Sequence, residues 1–225
     1  GRGRPWVGTS PAPTNPLMIS ADSASPHRLH RDHQRWAALD QVPAWDMGDE
    51  AARWLTAFLG QPCRLVRFDP AQRRLSSTDW TSGRAVPNQF SDGFPLLLTS
   101  TASLQELNPR LQAAGQPAVG MERFRPNVVI DGVQAHDEDR LELLRIDVGA
   151  AQVQLQPVKP CARCPIPNID PATAESSPAV GDMLRSYRQD RRLGGAVTFG
   201  MNAIVCQGAG QVLRVGQAVA ADLCF

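Results

Sequence analysis

The chain has 225 residues, with 23 Lys and Arg against 22 Asp and Glu, a net charge of +1. That length buries a sizeable core, enough for one domain of ordinary size plus a smaller lobe or for one large β-barrel, and the charge balance sets up no global field toward nucleic acid or an anionic membrane. No run approaches the roughly 20 apolar residues that cross a bilayer, and Gly1 to Ser20 lacks the apolar stretch of a secretory signal. A soluble protein without nucleic-acid or membrane partners is expected. The five cysteines, odd in number and mostly scattered, read as thiols of a reducing cytoplasm.

In chain order, residues 1–45 carry Pro5, Pro11, Pro13, Pro16 and Pro26 among Gly, Ser, Thr and basic residues, a composition of irregular or extended chain. From Asp49 the residues Ala51, Trp54, Leu55, Phe58 and Leu59 recur at helical spacing, with acids in the first turn and Gly60 as C-cap. Pro62 to Phe68 reads as a strand. Phe94 to Leu98 is a short apolar strand feeding a helix through Thr99-Ser100-Thr101. There Ser103 and Glu106 have capping-box spacing, and Asn108-Pro109 reads as the start of a second short helix that Gly115 ends. Strand signals come next at 127–130, 141–146, 151–158, 196–206 and 212–219, with one helix from the Ser177-Pro178 cap through Val180, Met183, Leu184 and Tyr187. The fold class expected is mainly β with a few helices (α+β), in a barrel or sandwich.

Four segments carry chemistry. Cys161-Ala-Arg-Cys164 places two thiols beside Lys159 and Arg163, a field that favours thiolate. A zinc site lacks a second ligand pair, a redox dithiol normally opens a helix where Pro165 and Pro167 stand here, and an ordinary loop stays open beside both. Arg123-Phe-Arg125-Pro-Asn127 offers guanidinium groups to phosphate or carboxylate and an amide to a heterocycle edge, or a pair of surface arginines. Thr99-Ser100 brings hydroxyls and unpaired backbone amides together at a helix start, which suits an anion or simple N-capping. His136-Asp-Glu-Asp139 reads as a solvated loop more than a hard-metal site, its ligands being consecutive.

Taken as an ordered set from Gln89 to Val219, these segments resemble the MOSC family, in the branch of bacterial YcbX-like proteins and mitochondrial amidoxime-reducing components. The residues that carry the resemblance are Phe90 to Ser100, Arg123 to Asn127 with Asp131-Gly132, Glu138-Asp139, Lys159 to Cys164, Asp170 with Thr173, Leu184 with Tyr187-Arg188, and Phe199-Gly200. A looser match covers Asp46 to Phe68. The resemblance implies a MOSC-type β-barrel at 89–225, a remnant of the family's N-terminal lobe at 46–88 and a proline-rich start at 1–45. The family's Pro-Val-Lys-Ser-like and Gly-Asp-Arg-like turns are not found before Asp46, which suggests a truncated lobe.

It also implies a molybdenum-molybdopterin cofactor. Cys164 is then the metal ligand and catalytic residue, and Thr99, Ser100, Arg125, Asn127 and Asn202 are its cofactor-binding residues. Asn202 stands where relatives have an aromatic residue. The implied reaction is reduction of N-hydroxylated small-molecule substrates, with electrons from a separate ferredoxin or reductase, since no iron-sulfur domain precedes Phe225. A sulfur-carrier or cofactor-delivery module without turnover, or a non-catalytic MOSC domain, are the alternative readings.

Overall fold

The computed structural model describes the backbone of residues 17–20 and all of residues 44–224. Two units divide these residues. One holds those up to Leu75 together with Pro87–Asp92, the other Ser76–Val86 and those from Gly93 onward.

In the first unit, strands β1 (Leu17–Ser20), β2 (Ala44–Asp46) and β3 (Arg64–Phe68) form an antiparallel sheet of order β1-β3-β2. Helix α1 (Asp49–Leu59) lies between β2 and β3 in sequence and ends where the Gly60 amide, at φ 70°, bonds the Thr56 carbonyl at 2.9 Å. Alternation along β3 buries Val66 and Phe68, which pack with Ala44 and Phe90. Arg64 grips Asp46 and, at 2.8 Å, Asp49, tying α1 to both strands. Of the proline-rich stretch 1–45, Leu17–Ser20 is thus a strand and Ala44 opens another. The rest lies outside the described residues.

The second unit is built on seven strands: β4 (Leu96–Ser100), β5 (Val128–Ile130), β6 (Leu141–Val148), β7 (Ala151–Ala162), β8 (Gln189–Asp190), β9 (Ala196–Gln207) and β10 (Val219–Leu223). They form one curled half-barrel sheet of order β10-β6-β7-β9-β4-β5, with β8 on β9, so the protein is mainly β with three helices among the described residues. Every pairing is antiparallel except β4 with β5. Alternate residues of β4, β6, β7 and β9 fill its concave core with Leu98, Leu144, Ile146, Val153, Leu155 and Ala203. Helices α2 (Thr101–Ala113) and α3 (Ala179–Tyr187) enclose a second core of Leu107, Leu111, Phe124, Val180, Leu184 and Phe199.

Several expectations need correction. The two short helices expected after Thr99 are one, α2, with Pro109 inside it, because Leu107 and Leu111 on the same face are both fully buried and hold the helix through the missing amide bond. Its cap is Ser100 rather than Ser103, and Asn108 instead bonds Val119 through both ends of its amide, at 2.9 and 3.0 Å. Strand β7 runs on past Val158 to Ala162. Its prolines, which cannot donate to the ladder, fall at register shifts between Pro157 and Lys159 and between Pro160 and Ala162. The strand expected at 212–219 begins only at Val219, since Val212 and Val215 point into solvent and Gly210 and Gly216 turn the chain.

Candidate functional site

The junction of β4 and α2 buries both of its hydroxyl side chains. Thr99 Oγ1 sits 3.3 Å from Met121 Sδ, and Ser100 caps α2 by accepting the Ser103 amide at 3.1 Å. Ser100 donates to one oxygen of Glu138 at 2.8 Å, and Ser103 donates to the other at 2.6 Å. All three side chains are wholly buried. The acidic run expected as a solvated loop is therefore part of the interior. Asp137 accepts the Gln134 amide and pairs with Arg140, while Asp139 pairs with Arg188 at 2.6 Å. Two hydroxyl donors and a guanidinium supply the partners that buried carboxylates require, which the sequence alone does not reveal.

His136 lies between α2, α3 and β9 with both ring nitrogens buried and unbonded. Burial and the Arg188 charge push its pKa below the ordinary value, against the opposite pull of Glu138, Glu106 and Asp139. Glu106 approaches only to 3.8 Å and makes no hydrogen bond, so desolvation prevails and the ring is neutral.

The two arginines of the Arg123–Asn127 segment part company. Arg123 turns inward to Asp170 at 2.8 Å, and that carboxyl is held below its usual range by the Ala172 amide and by Arg123. Arg125 takes the left-handed conformation at φ 55°. It is exposed and has no ion pair or hydrogen bond from its side chain among the described residues. Asn127 braces the start of β5, its Oδ1 accepting the Leu97 amide at 2.8 Å and its backbone amide reaching the Leu97 carbonyl at 2.9 Å.

Cys161 lies within β7 and Cys164 just beyond it, ahead of a 3-10 turn at Ile166–Asn168. Both are half-buried thiols outside any disulfide. Arg163 fastens the exit of the strand: its amide bonds the Val197 carbonyl at 2.8 Å, and its guanidinium reaches the Phe124 carbonyl at 2.9 Å and Cys161 Sγ at 3.2 Å. The cationic neighbour expected for the cysteine pair thus acts on Cys161, while Lys159 stands against the Trp80 ring, 5.3 Å from its centroid. Phe124 stacks on Phe199 with centroids 3.9 Å apart. Gly200, next in the chain, has φ 75°, and a Cβ there would come within 2.5 Å of the Leu98 carbonyl. Only glycine lets β9 close against β4.

Strand register carries the remaining residue into this neighbourhood. Asn202 of β9 stands opposite Leu97 on one side and Lys159 on the other, and Leu97 is the residue Asn127 grips. One strip across four strands therefore bears Asn127, Asn202 and Lys159, with Arg125 leading into one end and the cysteine loop leaving β7 beyond the other. Thr99 and Ser100 come after Leu97 on β4, but inside the fold. Among the described residues no three His, Cys, Asp or Glu side chains converge as a metal site, and no helix is long and apolar enough to cross a membrane.

The family profile described as "MOSC domain" matches residues 85–220. The chain is similar to mitochondrial amidoxime-reducing component 1 of Mus musculus, 36% identical over 152 residues, or 66% of this chain and 42% of that protein. It is 35% identical over 181 residues to mitochondrial amidoxime reducing component 2 of Rattus norvegicus, covering 77% and 50% of the two. Molybdenum cofactor sulfurase of Homo sapiens is 27% identical over 176 residues, 72% of this chain and 19% of that protein. The chain spans about half the length of the amidoxime-reducing relatives it matches.

Proposed function

Since the chain belongs to the MOSC domain family, we propose that it holds a molybdenum-molybdopterin cofactor through Cys164 and reduces N-hydroxylated small molecules with electrons from a separate ferredoxin or reductase. The observation that carries the reading is the presence, in one unit, of a free, half-buried thiol at Cys164 and an unpaired guanidinium at Arg125, while the motif residues Ser100 and Arg123 are engaged within the protein.

The donor set fits such a group. A thiol is a soft ligand suited to molybdenum, and Arg125 is a planar cation with its donors unspent, suited to a terminal phosphate. Asn127 has its amide nitrogen left over after bracing β4, and Asn202 has only a 3.5 Å contact from its nitrogen to the Pro160 carbonyl, so both can offer amide groups to a heterocycle. Thr99 and Ser100 would serve the cofactor by shaping the helix start. Arg163 fixes where β7 ends, and Pro165 and Pro167 stiffen the turn beyond Cys164, so that the thiol is presented from a rigid exit. When bound, the cofactor supplies the two-electron chemistry that removes oxygen from nitrogen. The protein supplies position and charge. A reducing compartment such as the cytoplasm is where five free thiols would persist.

The test is metal and pterin analysis of the full chain made in a cofactor-competent host, with Cys164→Ala beside it. Stoichiometric molybdenum and pterin in the wild type, with molybdenum lost in the variant, is the expected result. Wild type without either refutes the reading. The similarity to a molybdenum cofactor sulfurase favours a second reading, a sulfur-carrying or cofactor-delivering module in which the thiols hold sulfur without turnover. Steady reduction of an amidoxime by loaded protein and a supplied electron donor separates the two.

A further inference from the structure

The outer face of β7 and β9, opposite the barrel core, carries two cations that the proposed chemistry does not use. Strand β7 pairs Gln156 with Ile204, then Pro157 with Ala203, and then, after one extra residue, Lys159 with Asn202. Ala203 belongs to the barrel core. A regular strand would turn Lys159 toward that core. The bulge returns it to the face of Gln156, because a one-residue slip reverses every subsequent side chain.

Over this face lies the segment Ser76–Val86, closed on itself by the Ser76 amide on the Val86 carbonyl at 3.0 Å and the Thr81 hydroxyl on the Arg84 carbonyl at 2.6 Å. It brings the Trp80 ring against the Lys159 ammonium. It also sets the Arg84 guanidinium on the Gln156 amide oxygen and, at 3.2 Å, on Cys206 Sγ. Phe94 stands 6.0 Å from the same ammonium. Neither Lys159 nor Arg84 forms an ion pair with a carboxylate among the described residues, and the Oδ1 of Asn202 accepts no hydrogen bond there. Elsewhere in this unit Arg110, Arg123, Arg140, Arg145, Arg185, Arg188 and Arg192 each have a carboxylate partner.

We infer that Arg84 and Lys159, with the amide of Gln156 and the ring of Trp80 as a wall, form an anion-binding subsite that takes the carboxylate or phosphate end of the substrate. A guanidinium supplies a planar fork and an ammonium a compact charge, and the half-buried Trp80 ring walls the Lys159 side of the subsite. The substrate class selected by such a subsite is small N-hydroxylated compounds with an anionic tail. This assignment of substrate rests on the reductase reading, whereas the subsite itself does not.

Two measurements on the full chain test it. Calorimetric titration with inorganic phosphate and with a carboxylated aryl amidoxime is expected to show one site for each, weakened about tenfold in Arg84→Gln and in Lys159→Gln, as the loss of one charged hydrogen bond dictates. No binding by the wild type, or affinities within twofold in the double variant, overturns the subsite. On cofactor-loaded protein, the ratio of KM for the carboxylated amidoxime to KM for its uncharged parent is expected to rise about tenfold in Arg84→Gln, with kcat moving less. An unchanged ratio overturns the role in substrate recognition. Protein that turns over neither probe refutes the reductase reading, and the calorimetric arm still decides the subsite.

Discussion

Replacing Glu138 tests the interior that the structure assigns to it. The carboxylate is wholly buried and accepts one hydroxyl bond from Ser100 at 2.8 Å and one from Ser103 at 2.6 Å, joining the acidic turn to the first turn of α2. Glu138→Leu keeps the bulk and removes the acceptor of both hydroxyls; one can then donate to the other, 2.8 Å away, so one donor is left buried without an acceptor. With both carboxylate bonds gone and one donor orphaned, about 3 kcal/mol is expected. Glu138→Gln retains an acceptor and the shape, exchanging charge-assisted bonds for neutral ones at about 1–2 kcal/mol. In urea, with a slope of about 3 kcal/mol/M, the Leu variant should lose about 1 M in midpoint. The Ser103–Glu138 bond exists only in the wild type, so Ser103→Ala is expected to cost about 2 kcal/mol less in the Leu background than in wild type. A Leu variant within 1 kcal/mol of wild type, or Leu and Gln variants of equal stability, would refute the assignment.

Other positions give further expected outcomes. His136 has a folded-state pKa below the ordinary imidazole value near 6.5, so the unfolded chain takes the proton first. Stability should be level above that pH and fall as pH drops through it toward the depressed folded value. Asn tolerates the left-handed backbone of residue 136, at φ 64°, so denaturation of His136→Asn across pH 7.5 to 5 should lack that part of the fall, and an unaltered slope would place the titration elsewhere. Leu107→Ala opens a cavity at a fully buried position and is expected to cost about 3 kcal/mol in denaturant melts. Gly200→Ala brings a methyl group within 2.5 Å of the Leu98 carbonyl at a positive φ, and a loss of at least about 3 kcal/mol or insoluble protein is expected on expression. Arg125→Gln removes an exposed, unpaired guanidinium and should leave the urea midpoint unchanged while lowering the pterin recovered with the protein.

Local signals in the sequence locate most elements. The acids before Ala51 and the glycine after Leu59 bound α1 at Asp49 and Leu59 as expected, and apolar runs mark β4, β6 and β9. Expectation and structure part where a distant contact overrides the local signal. Pro109 marks a helix start by its chemistry, yet burial of Leu107 and Leu111 carries α2 through it. The strand signal at 212–219 is apolar without a partner, and the pairing to β6 begins only at Val219. In the site, residue types near Cys164 are legible, but not their partners. Nothing local says that Arg163 serves Cys161 and the Phe124 carbonyl, that Arg123 turns to Asp170, or that a bulge sends Lys159 outward.

The motif residues separate into two physical groups, and the separation bears on how their substitution should be interpreted. Ser100, Arg123, Asn127, Glu138, Asp139, Asp170, Arg188, Phe199 and Gly200 spend their side chains or their backbone space on other parts of the protein. Arg123, Glu138, Asp139, Asp170 and Arg188 tie the loops that carry them to other elements, and Phe199 and Gly200 pack β9 against its neighbours. Cys164 and Arg125 stand apart, one a free thiol and the other a cation without a partner, and Asn202 is held only by its 3.5 Å contact. Loss of a brace displaces the loops that carry the free groups, so cofactor content and stability should fall together. Loss of a free group removes a ligand from an intact frame, so cofactor content should fall alone. Measuring both quantities on each variant therefore distinguishes ligands from supports, and it does so without assuming any substrate.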